Sequence, residues 1–208
     1  MWIKICGMTT PEAVAAALEA QVQAIGFVFS ASPRQITPTR AVELAQPARG
    51  RLECVAVTRH PSRELVAQIL AGFRPDALQS DLEDLEQLGL PAELRRIPVL
   101  RAGGARPPRL PARALYEGPS SGSGIPCDWT EARALARRIE LVLAGGLSPD
   151  NVTDAIRTVV PFGVDVSSGV ESRPGVKSPQ KIHQFAAAAR AAFAALEVRP
   201  RDVNEESR

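Results

Sequence analysis

The chain has 208 residues, 45% hydrophobic and 23% charged, which suits one globular domain with a sizeable core. With 25 Lys and Arg against 23 Asp and Glu the net charge is +2, so there is no basic field for nucleic acid and no acidic tail. The three cysteines, Cys6, Cys54 and Cys127, are widely spaced, with no CxxC and no metal-type spacing to His60 or His183. A reducing cytoplasm is therefore expected. There is no long apolar run and no signal-peptide pattern, so neither export nor a membrane span is expected.

In chain order, Trp2-Ile3-Lys4-Ile5-Cys6 predicts a buried strand. Alternation puts Ile3 and Ile5 on an apolar face and Trp2, Lys4 and Cys6 on the other. Thr10-Pro11-Glu12 starts a helix, with Thr as cap and Pro at the first helical position. A second strand, Ala24 to Phe29, runs into a polar loop containing Ser32-Pro33-Arg34, and Thr37-Pro38 opens a second helix. The third strand is Leu52 to Val57, followed by a helix from Pro61 to Ala71. The fourth strand is Asp76 to Gln79, with Ser80-Asp81 capping a helix to about Leu88. The fifth is Arg96 to Leu100. The Gly- and Pro-rich segment after it, Arg101 to Pro111, predicts a fifth helix that is short or missing.

Strand six is Ala112 to Glu117. A flexible loop, Gly118 to Ile125, leads to a helix beginning at Asp128-Trp129-Thr130. Strand seven, Ile139 to Ala144, ends in the tight turn Gly145-Gly146, and Ser148-Pro149 opens the next helix. Strand eight, Gly163 to Val166, exits through Ser167-Ser168-Gly169-Val170-Glu171. Ser178-Pro179 begins a last helix to about Leu196, and residues 198–208 read as a charged, frayed tail. Strands alternating with helices imply a parallel sheet. Eight such units imply a single (β/α)₈ barrel over residues 1–197, near the lower size limit of that fold, roughly 200 residues. An open doubly wound sheet would call for G-x-G-x-x-G after strand one, where this chain has Cys6-Gly7-Met8-Thr9.

Barrel chemistry sits at the C-terminal ends of the strands. The residues there are Cys6, Arg34, Gln79, Glu117, Gly145-Gly146 and Ser167-Ser168-Gly169. The last two turns resemble a phosphate site, because glycines let backbone N–H groups approach an anion and hydroxyls add donors; ordinary turns would look the same. Cys6 is a small buried hydrophobe or a base, and Glu117 an acid/base group or a solvated loop residue; position alone does not separate these. Arg34 is a surface charge or a fork for a carboxylate. Cys54 and Cys127 read as structural, and His60 and His183 as outer-surface residues. Lys4 lies one pleat below Cys6, and a buried ammonium needs a partner. Barrel closure places strand eight beside strand one, which makes Asp165 that partner.

The whole chain resembles the phosphoribosylanthranilate isomerase family of tryptophan synthesis. Four blocks in order carry the resemblance. They are Lys4-Ile5-Cys6-Gly7-Met8-Thr9; Gly26-Phe27-Val28-Phe29 with Ser32-Pro33-Arg34; Leu143-Ala144-Gly145-Gly146-Leu147 with Asn151-Val152; and Asp165 to Glu171 with Pro174-Gly175-Lys177. The resemblance implies a (β/α)₈ barrel with no metal and no organic cofactor, acting on a small phosphorylated substrate, with no obligate protein partner. It implies an Amadori rearrangement with Cys6 as general base, Arg34 on the anthranilate carboxylate, and the last two loops on the phosphate. A Cys6 thiolate beside the cationic Lys4 would fit the base role. There are two departures. The family's Gln-x-His-Gly after strand four is here Gln79-Ser80-Asp81-Leu82, and its acidic Asp at the end of strand six is Glu117. Two rival readings remain: a related ribotide isomerase of histidine synthesis, and a phosphate-ligand-binding barrel without turnover.

Overall fold

The computed structural model describes residues 1–119 and 128–197. The flexible-loop expectation from Ser120 onward, Cys127, and the frayed tail lie outside the described residues. Eight parallel strands close into a barrel in sequence order. They are β1 (Trp2–Cys6), β2 (Ala24–Val28), β3 (Glu53–Val57), β4 (Ala77–Asp81), β5 (Arg95–Arg101), β6 (Arg113–Glu117), β7 (Glu140–Leu143) and β8 (Gly163–Val166). Closure pairs β1 with β8, setting Lys4 opposite Asp165. The helices are α1 (Pro11–Glu19), α2 (Pro38–Ala45), α3 (Arg63–Gln68), α4 (Leu82–Gln87), α5 (Trp129–Ala136), α6 (Val152–Val159) and α7 (Pro179–Glu197).

The caps follow local chemistry. The Thr10 side chain accepts from the Ala13 N–H, and that of Thr37 from the Arg40 N–H, each with Pro at the first helical position. Two starts differ from the sequence reading. α3 is capped by Ser62 rather than opened by Pro61, and it ends in a π-helical turn, Ile69–Phe73. α6 begins at Val152, because Asn151 folds back, accepting from the Ser148 N–H and donating to the Gly146 carbonyl. Residues 102–112 carry no helix. Pro107, Pro108 and Pro111 lack N–H groups and disfavour the α conformation in the residue before each.

Strands four and five run further than their composition suggested. β4 continues through Ser80 and Asp81, both buried, and the Asp81 side chain makes no cap hydrogen bond to α4. β5 ends on Arg101. Parallel pairing decides both limits, since Asp81 sits opposite Val99 and Arg101 opposite Glu117. After β8, a 3₁₀ turn (Ser168–Val170) leads into a hairpin of β9 (Glu171–Arg173) and β10 (Val176–Lys177) that the sequence reading took as loop.

Side-chain alternation divides the core. Ile3 and Ile5 face outward, fully buried beneath the helices with Val14, Ala17 and Phe185; each buried Ile contributes about 1.5–3 kcal/mol. Trp2, Ala24, Val55, Ala77, Ile97, Leu115 and Val142 fill the barrel interior. Above Trp2 the interior turns polar, with Lys4 and then Cys6. Gly26 on β2 makes that possible: a Cβ there would stand 2.9 Å from Cys6 Sγ and 3.1 Å from Lys4 Cε.

Candidate active site

A cavity of about 190 Å³ opens at the C-terminal ends of the strands. Cys6, Arg34, Gln79, Glu117, Asp165 and Ser167 all line it. Residues from five separate stretches of the chain thus share one mouth. Lys4 lies beneath, wholly buried, with its Nζ 2.9 Å from Asp165 Oδ1. This is the pair that barrel closure required. Burial opposes the Lys4 charge, but Asp165 and Cys6 outweigh it and hold the ammonium above its ordinary range. Cys6 behaves differently from the expected thiolate. Burial pushes its thiol up; Lys4 pulls it down, but not far enough to offset burial together with Asp165.

Arg34 is held by a carboxylate of the protein itself. Its Nε and Nη2 donate to the two Glu171 oxygens at 2.7 and 2.9 Å. Glu171 also accepts from Lys177 Nζ at 2.8 Å. Lys177 donates onward to the Ser167 carbonyl at 2.9 Å and its hydroxyl at 3.2 Å, and Ser167 Oγ donates to the Cys6 carbonyl at 3.0 Å. One network therefore joins the β2 loop, the hairpin, the β8 exit and Cys6. Burial alone would raise Glu171, but Arg34 and Lys177 hold it below the ordinary carboxylate range. The sequence reading named Arg34 and Ser167 but gave Glu171 and Lys177 no role. Their signal was charge in the block after strand eight, where a buried position was not foreseen.

Of the turns read as phosphate loops, Ser167 lines the cavity, whereas Gly145, Gly146, Ser168 and Gly169 do not. Gly145 and Gly146 have φ of +84° and +66°, left-handed values that glycine adopts without strain. Gly169 packs on the same turn, and a Cβ there would fall 1.9 Å from the Leu147 carbonyl oxygen. The exits of β7 and β8 are therefore in contact, with Ser168 and Gly169 opening the 3₁₀ turn. The Ser167 hydroxyl, by contrast, is turned inward to Cys6 and Lys177.

On the opposite side, Gln79 is buried and its Oε1 has no hydrogen-bond partner among the described residues. An unsatisfied buried amide oxygen costs about 1–3 kcal/mol, so a donor on a bound molecule has a ready acceptor there. Asp81 and Arg101 also line the mouth, and sequence reasoning missed both. Reading strand four two residues longer and strand five one residue longer would have placed them at strand ends with the others. Arg101 pairs with Asp81 at 2.5 Å and with Glu117. His60 is exposed but stands at this rim rather than on the outer wall: its Nδ1 lies 3.1 Å from Asp84 and its Nε2 3.7 Å from Asp81. His183 is on α7 beside Glu19, as expected of an outer face. Cys54 is buried, free and pushed up to about 11 by burial, consistent with a structural thiol.

The fold and mouth define a (β/α)₈-barrel protein with a polar site at the strand C-termini. Comparison with known proteins is specific. The family model for N-(5'-phosphoribosyl)anthranilate isomerase matches residues 3–188. The isomerase of that name from Rhizobium rhizogenes is 38% identical over 202 residues, covering 88% of this chain and 91% of its own. The crystal structure of TrpF from Jonesia denitrificans is 36% identical with a TM-score of 0.77, covering 92% of this chain and 98% of its own. A phosphoribosyl anthranilate isomerase crystallised with reduced 1-(o-carboxyphenylamino)-1-deoxyribulose 5-phosphate is 27% identical with a TM-score of 0.76, covering 92% and 99%. The chain belongs to the N-(5'-phosphoribosyl)anthranilate isomerase family.

Proposed function

We propose that the protein converts N-(5'-phosphoribosyl)anthranilate to 1-(2-carboxyphenylamino)-1-deoxyribulose 5-phosphate, with Cys6 as general base and Glu117 as general acid. The observation that carries the reading is one cavity lined by a thiol from β1 and a carboxyl from β6, above a Lys4–Asp165 pair. The acid protonates the ribose ring oxygen and the ring opens to a protonated Schiff base. The base then removes the C2 proton, and the resulting enolamine tautomerises to the ketone. One group must begin protonated and the other must become deprotonated. Because burial raises the Cys6 thiol, it serves as base once its own proton has passed to solvent, and the cationic Schiff base favours the resulting thiolate. Lys4 and Lys177 lower the same cost from below and from the side.

Arg34 is assigned to the anthranilate carboxylate, with Glu171 setting the plane of its guanidinium. The backbone of Gly145, Gly146, Ser168 and Gly169 is assigned to the phosphate, outside the cavity that receives the ring. The two buried free thiols fit a reducing cytoplasm. The deciding experiment has two arms. The purified protein should convert the anthranilate ribotide in vitro, and its gene should restore growth of a tryptophan auxotroph lacking this step. Rescue of a histidine auxotroph instead would replace this reading by the related ribotide isomerisation. Ligand binding without turnover would leave only the barrel's binding role.

A further inference from the structure

We propose that Arg101 is a positioning residue for Glu117, and that Asp81 in turn holds Arg101. This rests on reading Glu117 as the acid. Three consecutive strands bring the groups together. Arg101 lies opposite Glu117 on the β5–β6 ladder, and Asp81 ends β4 on the other flank of β5. The guanidinium uses different nitrogens for the two carboxylates: Nη2 donates to Asp81 Oδ1 at 2.5 Å, and Nη1 donates to Glu117 Oε1. A planar fork can grip two carboxylates from separate strands at a fixed angle; the point charge of a lysine cannot. The three side chains are only 21%, 11% and 13% exposed for Arg101, Asp81 and Glu117, so the contacts are less screened than a surface pair.

The surroundings keep Arg101 on the mouth. Its carbonyl accepts from Arg106 Nη1 at 2.8 Å, and the Ala102 N–H donates to the Glu117 carbonyl at 2.9 Å. The helix-free segment after β5 thus folds back on the two strand ends that carry the pair. Asp81 stands where the family pattern has His, and it caps nothing on α4. Arg101 accounts for its inward aim.

The chemistry explains why such a clamp is useful. Glu117 has one more methylene, and one more rotatable bond, than the Asp usual at this place. A misplacement of about 1 Å can cost roughly 10²-fold in rate. A guanidinium donates to a carboxylate and to the carbonyl oxygen of a carboxylic acid alike, so the hold survives either protonation state of Glu117.

A double-mutant cycle on the whole protein tests this. Arg101→Met, Glu117→Gln and the double variant are compared in steady state and in single turnovers with enzyme in excess, which keeps residual rates measurable. Arg101→Met should lower kcat by about 10²-fold while KM changes less than about twofold. Arg101→Lys should recover little of the loss, and Asp81→Asn should give a smaller loss of the same kind. Adding Arg101→Met to Glu117→Gln should cost nothing more, because the group it positions is already disabled. If Arg101→Met fails to fold, Arg101→Gln enters the same cycle. A further, multiplicative loss in the Glu117→Gln background would mean that Arg101 acts independently, and the proposal falls while the acid reading stands. A raised KM with kcat unchanged would make Arg101 a binding group and equally overturn it. Full activity of Glu117→Gln alone would remove the acid reading itself.

Discussion

The two halves of the mouth are built differently. On the β8–β1–β2 side, the cations that reach inward have buried partners: Lys4 with Asp165, and Arg34 and Lys177 with Glu171. On the β4–β6 side, Gln79 keeps a buried oxygen without a partner among the described residues, one arginine serves two carboxylates, and the segment after β5 has no helix. The first half is built from the blocks that carry the sequence resemblance to the family. The second half holds both departures, Asp81 and Glu117. A buried ion pair cannot lose one member without stranding the other, so its members change together or not at all. A partly exposed cluster can exchange His for Asp and Asp for Glu, provided that a neighbour such as Arg101 takes up the altered charge and length.

Perturbing each half should break that contrast in a distinct way. The largest effect is expected from Cys6→Ala, which should lower kcat by about 10²–10⁴-fold, the range for a positioned acid/base group, with the fold retained by circular dichroism. Near-wild-type turnover would remove Cys6 from the mechanism. In the wild type, kcat/KM should still be climbing with pH where an ordinary thiol, at about 8.5, has half ionised, because burial has raised Cys6.

Next comes Asp165→Ala. It strands Lys4 in the barrel and should destabilise the protein by about 3–5 kcal/mol, read by denaturant unfolding. A cost below about 1 kcal/mol would mean that water or another group reaches Lys4.

A smaller loss is expected from Glu117→Asp on the other side. The shorter side chain no longer reaches Arg101 and the substrate together, and turnover should fall by about 10-fold, within the roughly 10²-fold that 1 Å can cost. Unchanged turnover would show that this half tolerates either length without adjustment.

The smallest effect concerns acid stability. Glu171 is held below the ordinary carboxylate range. Its contribution is therefore complete above about pH 4.3, the unfolded value, and is lost as pH falls toward the depressed folded value. Glu171→Gln should flatten the decline of melting temperature below about pH 4.3; an unaltered slope would mean that Arg34 and Lys177 find other partners.

Much of the first half was legible in the chain. Alternation in Trp2 to Cys6 separates Ile3 and Ile5 from Lys4 and Cys6, and a buried lysine demands a carboxylate. Closure of an eight-stranded barrel names the strand that supplies it, so Asp165 follows from topology without coordinates. Cap chemistry at Thr10 and Thr37, and the prolines between β5 and β6, likewise act locally and can be read locally. The ends of β4 and β5 could not, since Ser80, Asp81 and Arg101 carry no strand signature. Their conformation is imposed by ladder partners on neighbouring strands.

What the sequence by itself determined was thus the alternation of elements, the closed barrel, and the strand-end positions from which Cys6, Arg34, Gln79 and Glu117 reach one mouth. These depend on periodicity and turn chemistry, which act within a few residues. Only the tertiary structure decided which charges meet. Arg34 finds Glu171, 137 positions away, and Arg101 gathers Asp81 and Glu117 from the strands on either side of it. The Cys6 thiol is pushed up because burial, with Asp165, outweighs its cationic neighbours. Burial and long-range pairing belong to the folded arrangement as a whole, and no stretch of the chain carries them alone.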